Sequence, residues 1–504
     1  MTYSLSILGC FVVYAVLLKF LRQVFGLGNR IPCYPPGPPS RFAVGNFYDL
    51  PKKLPWLTYT EWGQRYGELV HASALGQHIV IVNSVRTAND LFEKRSGIYS
   101  DRPVTTMVEL MGWDFNVGLM QMGDRWRAHR RLFQQHFRRD IVHTYQPIQM
   151  NKIHHLLRQL LSDPQDFREH IKTFGAATIM KIVYGYNVKP SNDRFVQLSD
   201  KAVKKLGDSF FPGAVAVNAF PILRYVPSWF PGAGFQNYAA DCRQLVDEMQ
   251  QVQFNFAKQN MRDGLDSNSV VAKMLQGRGR PDEVAIRESA ATAYAAGSDT
   301  THSTLASFFV AMAQYPAVQQ RAQEELDTVL GSSRLPQFED RPSLPFVEAV
   351  YRELMRWRPA LPLGVPHATS ADDIYNGFYI PKGTTVMANI WAMTRDESVY
   401  TDPEDFNPDR FFTADGKLNN DDTILAFGFG RRICVGRRNG DATLWAAICS
   451  VLATFNISKA KDIAGNEIEI DMVYSDGMIS HPSSFQCSIV PRSDTAALLI
   501  QSAN

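Results

Sequence analysis

Of the six cysteines in the chain, one sits where its sulfur could do chemistry. Cys434 lies in the stretch Phe427-Gly428-Phe429-Gly430-Arg431-Arg432-Ile433-Cys434-Val435-Gly436. The glycines let the backbone fold tightly around the sulfur and aim amide hydrogens at it. Arg431, Arg432, Arg437 and Arg438 bring positive charge to the same loop. The helical pattern of Thr443–Leu452 adds a helix N-terminus nearby. Amides, cations and a helix dipole all favour thiolate over thiol. No CxxC or HExxH pattern accompanies Cys434, which argues against zinc there. A lone activated thiolate in a glycine loop suits two chemistries, nucleophilic catalysis or axial ligation of haem iron. Cys242, Cys449 and Cys487 read as small buried hydrophobes.

Three further patterns stand out, each with a bland reading beside a chemical one. Ala296-Gly297-Ser298-Asp299-Thr300-Thr301 falls inside a long helical pattern. A glycine there costs up to about 1 kcal/mol relative to alanine, and Thr300 can bond back to the Ala296 carbonyl and loosen the helix. A plain helix gains nothing from this, whereas a helix passing over an oxygen site gains a groove. Glu353-Leu354-Met355-Arg356 sets acid and base three apart on a helix. Such pairs usually sit on solvated faces and contribute a few tenths of a kcal/mol. Trp126 and Arg130, four apart, share one helix face.

The cysteine stretch resembles the haem-binding signature of cytochrome P-450 monooxygenases, FxxGxRxCxG, with every defined position filled. The resemblance implies that Cys434 is the axial haem iron ligand, that Phe427 shields the sulfur and that Arg432 bonds a haem propionate. Ala296–Thr301 is similar to the family's (A/G)Gx(D/E)T(S/T) element, which makes Asp299 and Thr300 the acid–alcohol pair that relays protons. It also implies that Glu353 and Arg356 form a buried structural pair, joined by Arg410 of Phe406-Asn407-Pro408-Asp409-Arg410-Phe411. Trp126 and Arg130 match the WxxxR element directed at a propionate, and His367 stands where relatives carry a propionate-binding His or Arg. One departure is Asn439-Gly440, where the family has Leu-Ala, and it bears on how the next helix packs.

The resemblance extends from the N-terminus to Phe485–Arg492. Met111-Gly112-Trp113 and Ser480-His481-Pro482 are similar to a fungal, secondary-metabolism branch. It implies a mainly helical fold with small β-sheets around haem b. The activity implied is insertion of one atom of O2 into a lipophilic small molecule such as a terpenoid or polyketide, by hydroxylation or multistep oxidation. Electrons would come from NADPH through NADPH-cytochrome reductase, with cytochrome b5 as a second donor. Arg127, Arg130, Arg131, Arg138, Arg139, Arg437 and Arg438 cluster on the proximal elements, and those of them left exposed would dock the acidic reductase face. By analogy with the family, the pocket is expected from Pro103–Gln121, Phe210–Phe235, Tyr294, Leu361–Val365 and Gly477–Ile479, which are mostly apolar, with no arginine or lysine in the last three, and this suits an uncharged, lipophilic substrate. Isomerases, dehydratases and desaturases of the superfamily are the nearest alternatives; the first two need no oxygen-activating pair. A membrane-tethered haem carrier or sensor is a third.

These groups need a frame. The chain has 504 residues, 52 basic against 50 acidic, and is rich in aromatics. That excludes a disordered chain or a disulfide scaffold, and a net charge of +2 gives no reason to expect nucleic acid. Leu5–Leu18 is apolar almost throughout, and with Phe20 and Leu21 it approaches the ~20 residues that span a bilayer core. Lys19, Arg22 and Arg30 lie on its far side, which favours a retained anchor over a cleaved signal. The expectation is an anchor over 1–24, a proline-rich hinge over 25–45 (Tyr34-Pro35-Pro36-Gly37-Pro38-Pro39) and one catalytic unit over 46–504. This corresponds to a single-pass protein of the endoplasmic reticulum membrane with a cytosolic catalytic domain. Strands are expected within Gly67–Asn83, around Tyr379 and Val386, and near Phe485–Val490. Helices are expected over Gly123–Phe137, His143–Leu161, Asn237–Met261, Pro281–Gln314, Pro316–Leu330 and Leu344–Trp357.

Overall fold

The computed structural model describes residues 33–503 except 191, 208–215, 278–281 and 332. The expected anchor over 1–24 and the first part of the hinge lie outside the described residues. Among those described, no helix is long and apolar enough to cross a membrane.

Twelve described helices have seven or more residues: α1 Pro55–Tyr66, α2 Asp124–Phe137, α3 Gln146–Ser162, α4 Phe167–Tyr184, α5 Arg194–Gly207, α6 Gly234–Arg262, α7 Val270–Gln276, α8 Glu283–Gln314, α9 Pro316–Leu330, α10 Pro345–Trp357, α11 Arg437–Thr454 and α12 Asp494–Ser502. The pillar is α8, 32 residues long. It starts where the Asp282 side chain accepts from the Val284 amide, and it stops before Pro316, which opens α9. Its length matches the expected helix over Pro281–Gln314. It is buried on nearly all sides, and its C-terminal half joins α3, α4, α9, α10 and α11 in the largest core.

Helix α4 is absent from the expectations because it is apolar all round: Phe174–Met180 is almost wholly buried, so no polar face marks its period. It ends at Gly185 in the left-handed conformation, φ 69°. Helix α5 is a second addition. The helix after the cysteine begins at Arg437 rather than Thr443 and runs straight through Asn439-Gly440. Asn439 is buried there, and its Oδ1 accepts from Gln149 of α3, which also donates to Thr443. Asn439 thus gains a partner that leucine could not use.

The sheets are small. Strands β1 Leu69–Ala74 and β2 Gln77–Val82 form a hairpin around Leu75-Gly76, both at positive φ. β6 Thr385–Ala388 lies parallel to β2 and antiparallel to β3 His367–Ala368, giving the order β1-β2-β6-β3. β4 Asp373–Tyr375 pairs with β5 Phe378–Ile380, and β7 Phe455–Lys459 with β8 Cys487–Pro491. The described part of the proline segment lies on the first sheet. Pro36 accepts from the His71 amide, and the Tyr34 ring stacks on His71 at 4.7 Å and on His78 at 5.1 Å. The Phe210–Phe235 region is more regular than the expected loop, and its Asn218 borders a cavity as expected. From Ala216 it forms two short helical turns, and Phe220, Ile222, Tyr225, Trp229 and Phe230 are exposed.

Candidate active site

The cysteine loop is shaped by glycine where nothing else fits. At Gly430, φ is 53° and a Cβ would meet the Phe92 carbonyl oxygen at 2.1 Å. Its amide donates to Glu93, so the loop is held against the segment Asn89–Lys94. The Cys434 amide donates to the Phe427 carbonyl at 2.8 Å, which places Phe427 beside the sulfur-bearing residue. Burial pushes the Cys434 thiol up, against the amides of Gly436 and Arg437 and the charges of Arg130 and Arg437. Desolvation thus acts against the local dipoles and cations, and a metal ion bound to the sulfur would act with them. A nucleophilic cysteine needs its pKa lowered by its neighbours, whereas a metal ion deprotonates its own sulfur ligand.

Three arginines converge near this loop. Arg432 is buried and donates through Nε, Nη1 and Nη2 to the carbonyls of Ser100, Val117 and Met120, and its guanidinium lies 4.5 Å from the Trp126 ring centre. Arg130, on the same face of α2 as Trp126, donates to the Ile433 carbonyl at 2.7 Å. Arg102, buried and outside the expected set, donates to the carbonyls of Gly118, Val365 and Pro366. Burial pulls Arg432 down to about 10, with Asp101 opposing and Arg130 reinforcing the effect. Burial, then Arg432, likewise lowers Arg102. His367 bonds Tyr99 through Nδ1 at 2.7 Å and is held neutral by burial and by the charges of Arg102 and Arg432. Its neighbours Arg102 and Arg432 are offset mainly by one carboxylate, that of Asp101. A guanidinium has five N–H groups, so Arg102 and Arg432 each keep donors beyond those spent on carbonyls.

This donor set fits haem: a single sulfur for iron and a cationic cradle with spare N–H groups for two carboxylates. Cys434 lies deep in the protein yet keeps exposed surface, so it opens onto interior space. Ala296, exposed in the middle of an otherwise buried α8, does the same.

Next to Ala296 the Thr300 hydroxyl donates to its carbonyl at 2.8 Å, the back-bond expected for this helix. Asp299 points elsewhere: its Oδ1 is 3.2 Å from His481 Nε2 and 3.9 Å from His302 Nδ1. Burial opposes ionisation of Asp299, but hydrogen bonds and charge from the two histidines prevail and hold it below the usual carboxylate range. His302 carries no assignment in the sequence reading, although its spacing of three from Asp299 was visible. His481 belongs to a loop remote in sequence, and no spacing announces it.

Glu353 and Arg356 are both fully buried. Arg356 binds both carboxylate oxygens, at 2.6 and 2.8 Å, and donates to the carbonyls of Thr394, Pro403 and Asp405. Arg410 and the Asn407 amide complete the Glu353 shell at 3.2 and 2.7 Å. The pair therefore ties the chain from Thr394 to Arg410 onto α10.

A cavity of about 560 Å³ is lined by apolar residues such as Val104, Val108, Leu119 and Val365 and by Arg102, Glu109, Asp114, Arg125 and Arg243. The charged members come from the Pro103–Gln121 loop and from residues outside the expected segments, and none from Leu361–Val365. Gly477 and Met478 line a separate apolar cavity of about 50 Å³ with Leu363 and Gly364. Tyr294 is packed in a core beside α4 rather than in either wall. Of the basic residues expected at the surface, Arg127, Arg131, Arg138, Arg139 and Arg438 are exposed, while Arg130 and Arg437 are drawn inward.

The family model described as cytochrome P-450 matches residues 35–487. Cytochrome P-450 monooxygenase 208 of Postia placenta is 42% identical over 494 residues, covering 96% of each chain. Cytochrome P-450 monooxygenase ple1 of Rhodocybe pseudopiperita is 42% identical over 477 residues, 93% of this chain and 91% of the relative. A cytochrome P-450 monooxygenase of Armillaria gallica is 39% identical over 500 residues, 97% of this chain and 98% of the relative. The family's cofactor is haem b, and its members typically draw electrons from a redox partner and act on lipophilic substrates. The chain belongs to the cytochrome P-450 family, as an oxidoreductase of its monooxygenase type.

Proposed function

We propose that the chain is a membrane-tethered monooxygenase that inserts one atom of O2 into a lipophilic small molecule of fungal secondary metabolism. NADPH-cytochrome reductase supplies two electrons. The observation that carries this reading is the convergence of Arg102, Arg130, Arg432 and His367 near a lone, deep cysteine. When bound, haem b supplies the redox chemistry and the activation of oxygen. Cys434 offers its sulfur to the iron, and Phe427 covers that sulfur. Arg432, Arg130 and Arg102, with the Trp126 indole, would offer donors to the two carboxylates, and His367, whose N–H goes to the Tyr99 carbonyl, would stand beside them.

The proton work falls to α8. The Thr300 hydroxyl is held on the Ala296 carbonyl, facing the groove. The Asp299 carboxylate receives protons by way of His481, which is partly exposed, and passes them toward Thr300. Isomerases and dehydratases need no such pair. The cavity suits an apolar body with one polar end, because its charges cluster with Glu109, Asp114 and Arg243.

The membrane tether rests on the apolar N-terminal stretch and on the exposed Phe220, Ile222, Tyr225, Trp229 and Phe230. We assign 1–24 as anchor, 25–45 as hinge and 46–504 as the catalytic unit on the cytosolic face of the endoplasmic reticulum. Co-expression with reductase, feeding of terpenoids and polyketides, and mass spectrometry test the activity. Oxygenated product formed with matching NADPH consumption is expected. Isomerised product without NADPH consumption would overturn the reading. In the reduced carbon monoxide spectrum, Cys434→Ala is expected to lose the thiolate-type Soret band.

A further inference from the structure

We propose that Asp299, His302 and His481 form a binding site for a divalent transition metal, with zinc as its ion. One carboxylate and two imidazoles offer ligand atoms that all lie within 4.8 Å of one another. Asp299 and His302 are one turn apart on α8, and His481 reaches them from the loop after Gly477. Zinc bonds of about 2.0–2.2 Å in tetrahedral geometry place neighbouring ligand atoms about 3.3–3.6 Å apart. The observed separations from Asp299 Oδ1, 3.2 Å to His481 and 3.9 Å to His302, bracket that value. The two rings lie 5.0 Å apart and tilted by 43°, so they are not stacked face to face.

Lys172, whose charge reaches His302, is paired with Asp200 at 2.8 Å, so its charge is offset. The side chain of Asp299 is 34% exposed and that of His481 22%, which leaves a path for an ion and for a water as fourth ligand.

A bound zinc takes the Asp299 carboxylate away from proton transfer and so acts as a reversible brake. That consequence rests on the relay reading above; the site itself does not.

The test uses the haem-loaded full chain, freed of any affinity tag, dialysed against zinc and assayed for metal by mass spectrometry. One zinc per chain is expected, with affinity more than tenfold weaker in His481→Gln and in His302→Gln. His78→Gln, which alters the other close histidine pair (His71–His78, 2.9 Å), is expected to leave it unchanged. Undiminished binding in both cluster variants overturns the proposal. Should either variant fail to hold haem, zinc-edge absorption of the wild-type protein decides. A shell with two imidazoles and one carboxylate supports the site, and a shell without imidazole overturns it. If zinc binds as stated while turnover is unchanged, the site stands and the role of Asp299 in proton transfer falls.

Discussion

The carbonyl oxygen of Ser298 stands only 2.7 Å from where a Cβ on Gly175 would lie. Helices α4 and α8 therefore touch backbone to backbone inside the stretch that carries Asp299 and Thr300. Gly175→Ala is expected to destabilise the protein by about 1–3 kcal/mol, because a backbone oxygen cannot swing aside. It should also raise NADPH consumption per product by shifting the relay. Gly297→Ala is the control. Its Cβ would meet the Ile179 side chain at 3.2 Å, which can yield, and it gains up to about 1 kcal/mol of helix propensity. Thermal unfolding of both variants checks this; equal losses would remove the close crossing as the cause.

Glu353 holds two arginines and a backbone amide with no solvent in reach. Glu353→Ala leaves Arg356 charged and unpaired in the interior, at a cost of about 3–5 kcal/mol. Little haem-loaded protein should be recovered, measured from the reduced carbon monoxide spectrum. Normal loading with an unchanged urea midpoint would contradict the structural role of the pair.

His71 should set part of the acid limb of stability. Burial, with His78 adding to it, lowers His71 from 6.5 to about 4. The unfolded chain therefore binds more protons between those two values. Stability is complete above pH about 6.5 and falls as pH drops toward 4, by about 3 kcal/mol at most. Unfolding midpoints measured across this range should fall less steeply in His71→Phe, which keeps a ring for Tyr34 to stack on. An identical slope would show that other groups carry the acid sensitivity.

Arg131, Arg138, Arg139 and Arg438 remain on the surface, and Arg138 forms only an exposed pair with Asp140. Reversing Arg138 and Arg139 to glutamate should lower reductase-supported turnover at low salt, with a smaller effect at high salt. Steady-state rates against reductase concentration read this out. Unchanged low-salt rates would remove this face as the docking site.

Much of the site was legible because its parts are linear. Cys434 with its glycines, Asp299-Thr300, and Glu353 with Arg356 each sit within a few residues, so each can be matched to the family's linear motifs. What stayed hidden arises where distant segments cross. Arg102 gains its place from carbonyls at Val365 and Pro366, and His481 from a helix far upstream in the chain. The touching of Gly175 and Ser298 depends on α4, which has no polar face to reveal it. At Cys434 the dipoles can be counted in a sequence, whereas the solvent excluded by folding cannot.

Arg432 grips the carbonyls of Ser100, Val117 and Met120, and Arg102 holds Gly118. Both ends of the segment that borders the cavity are thus buckled to arginines of the cofactor cradle. Between those buckles, positions such as Val104 and Val108 face the cavity. Substrate preference can drift there through single substitutions while cofactor retention is inherited intact. A lineage diversifying its chemistry would find its freedom along this strap.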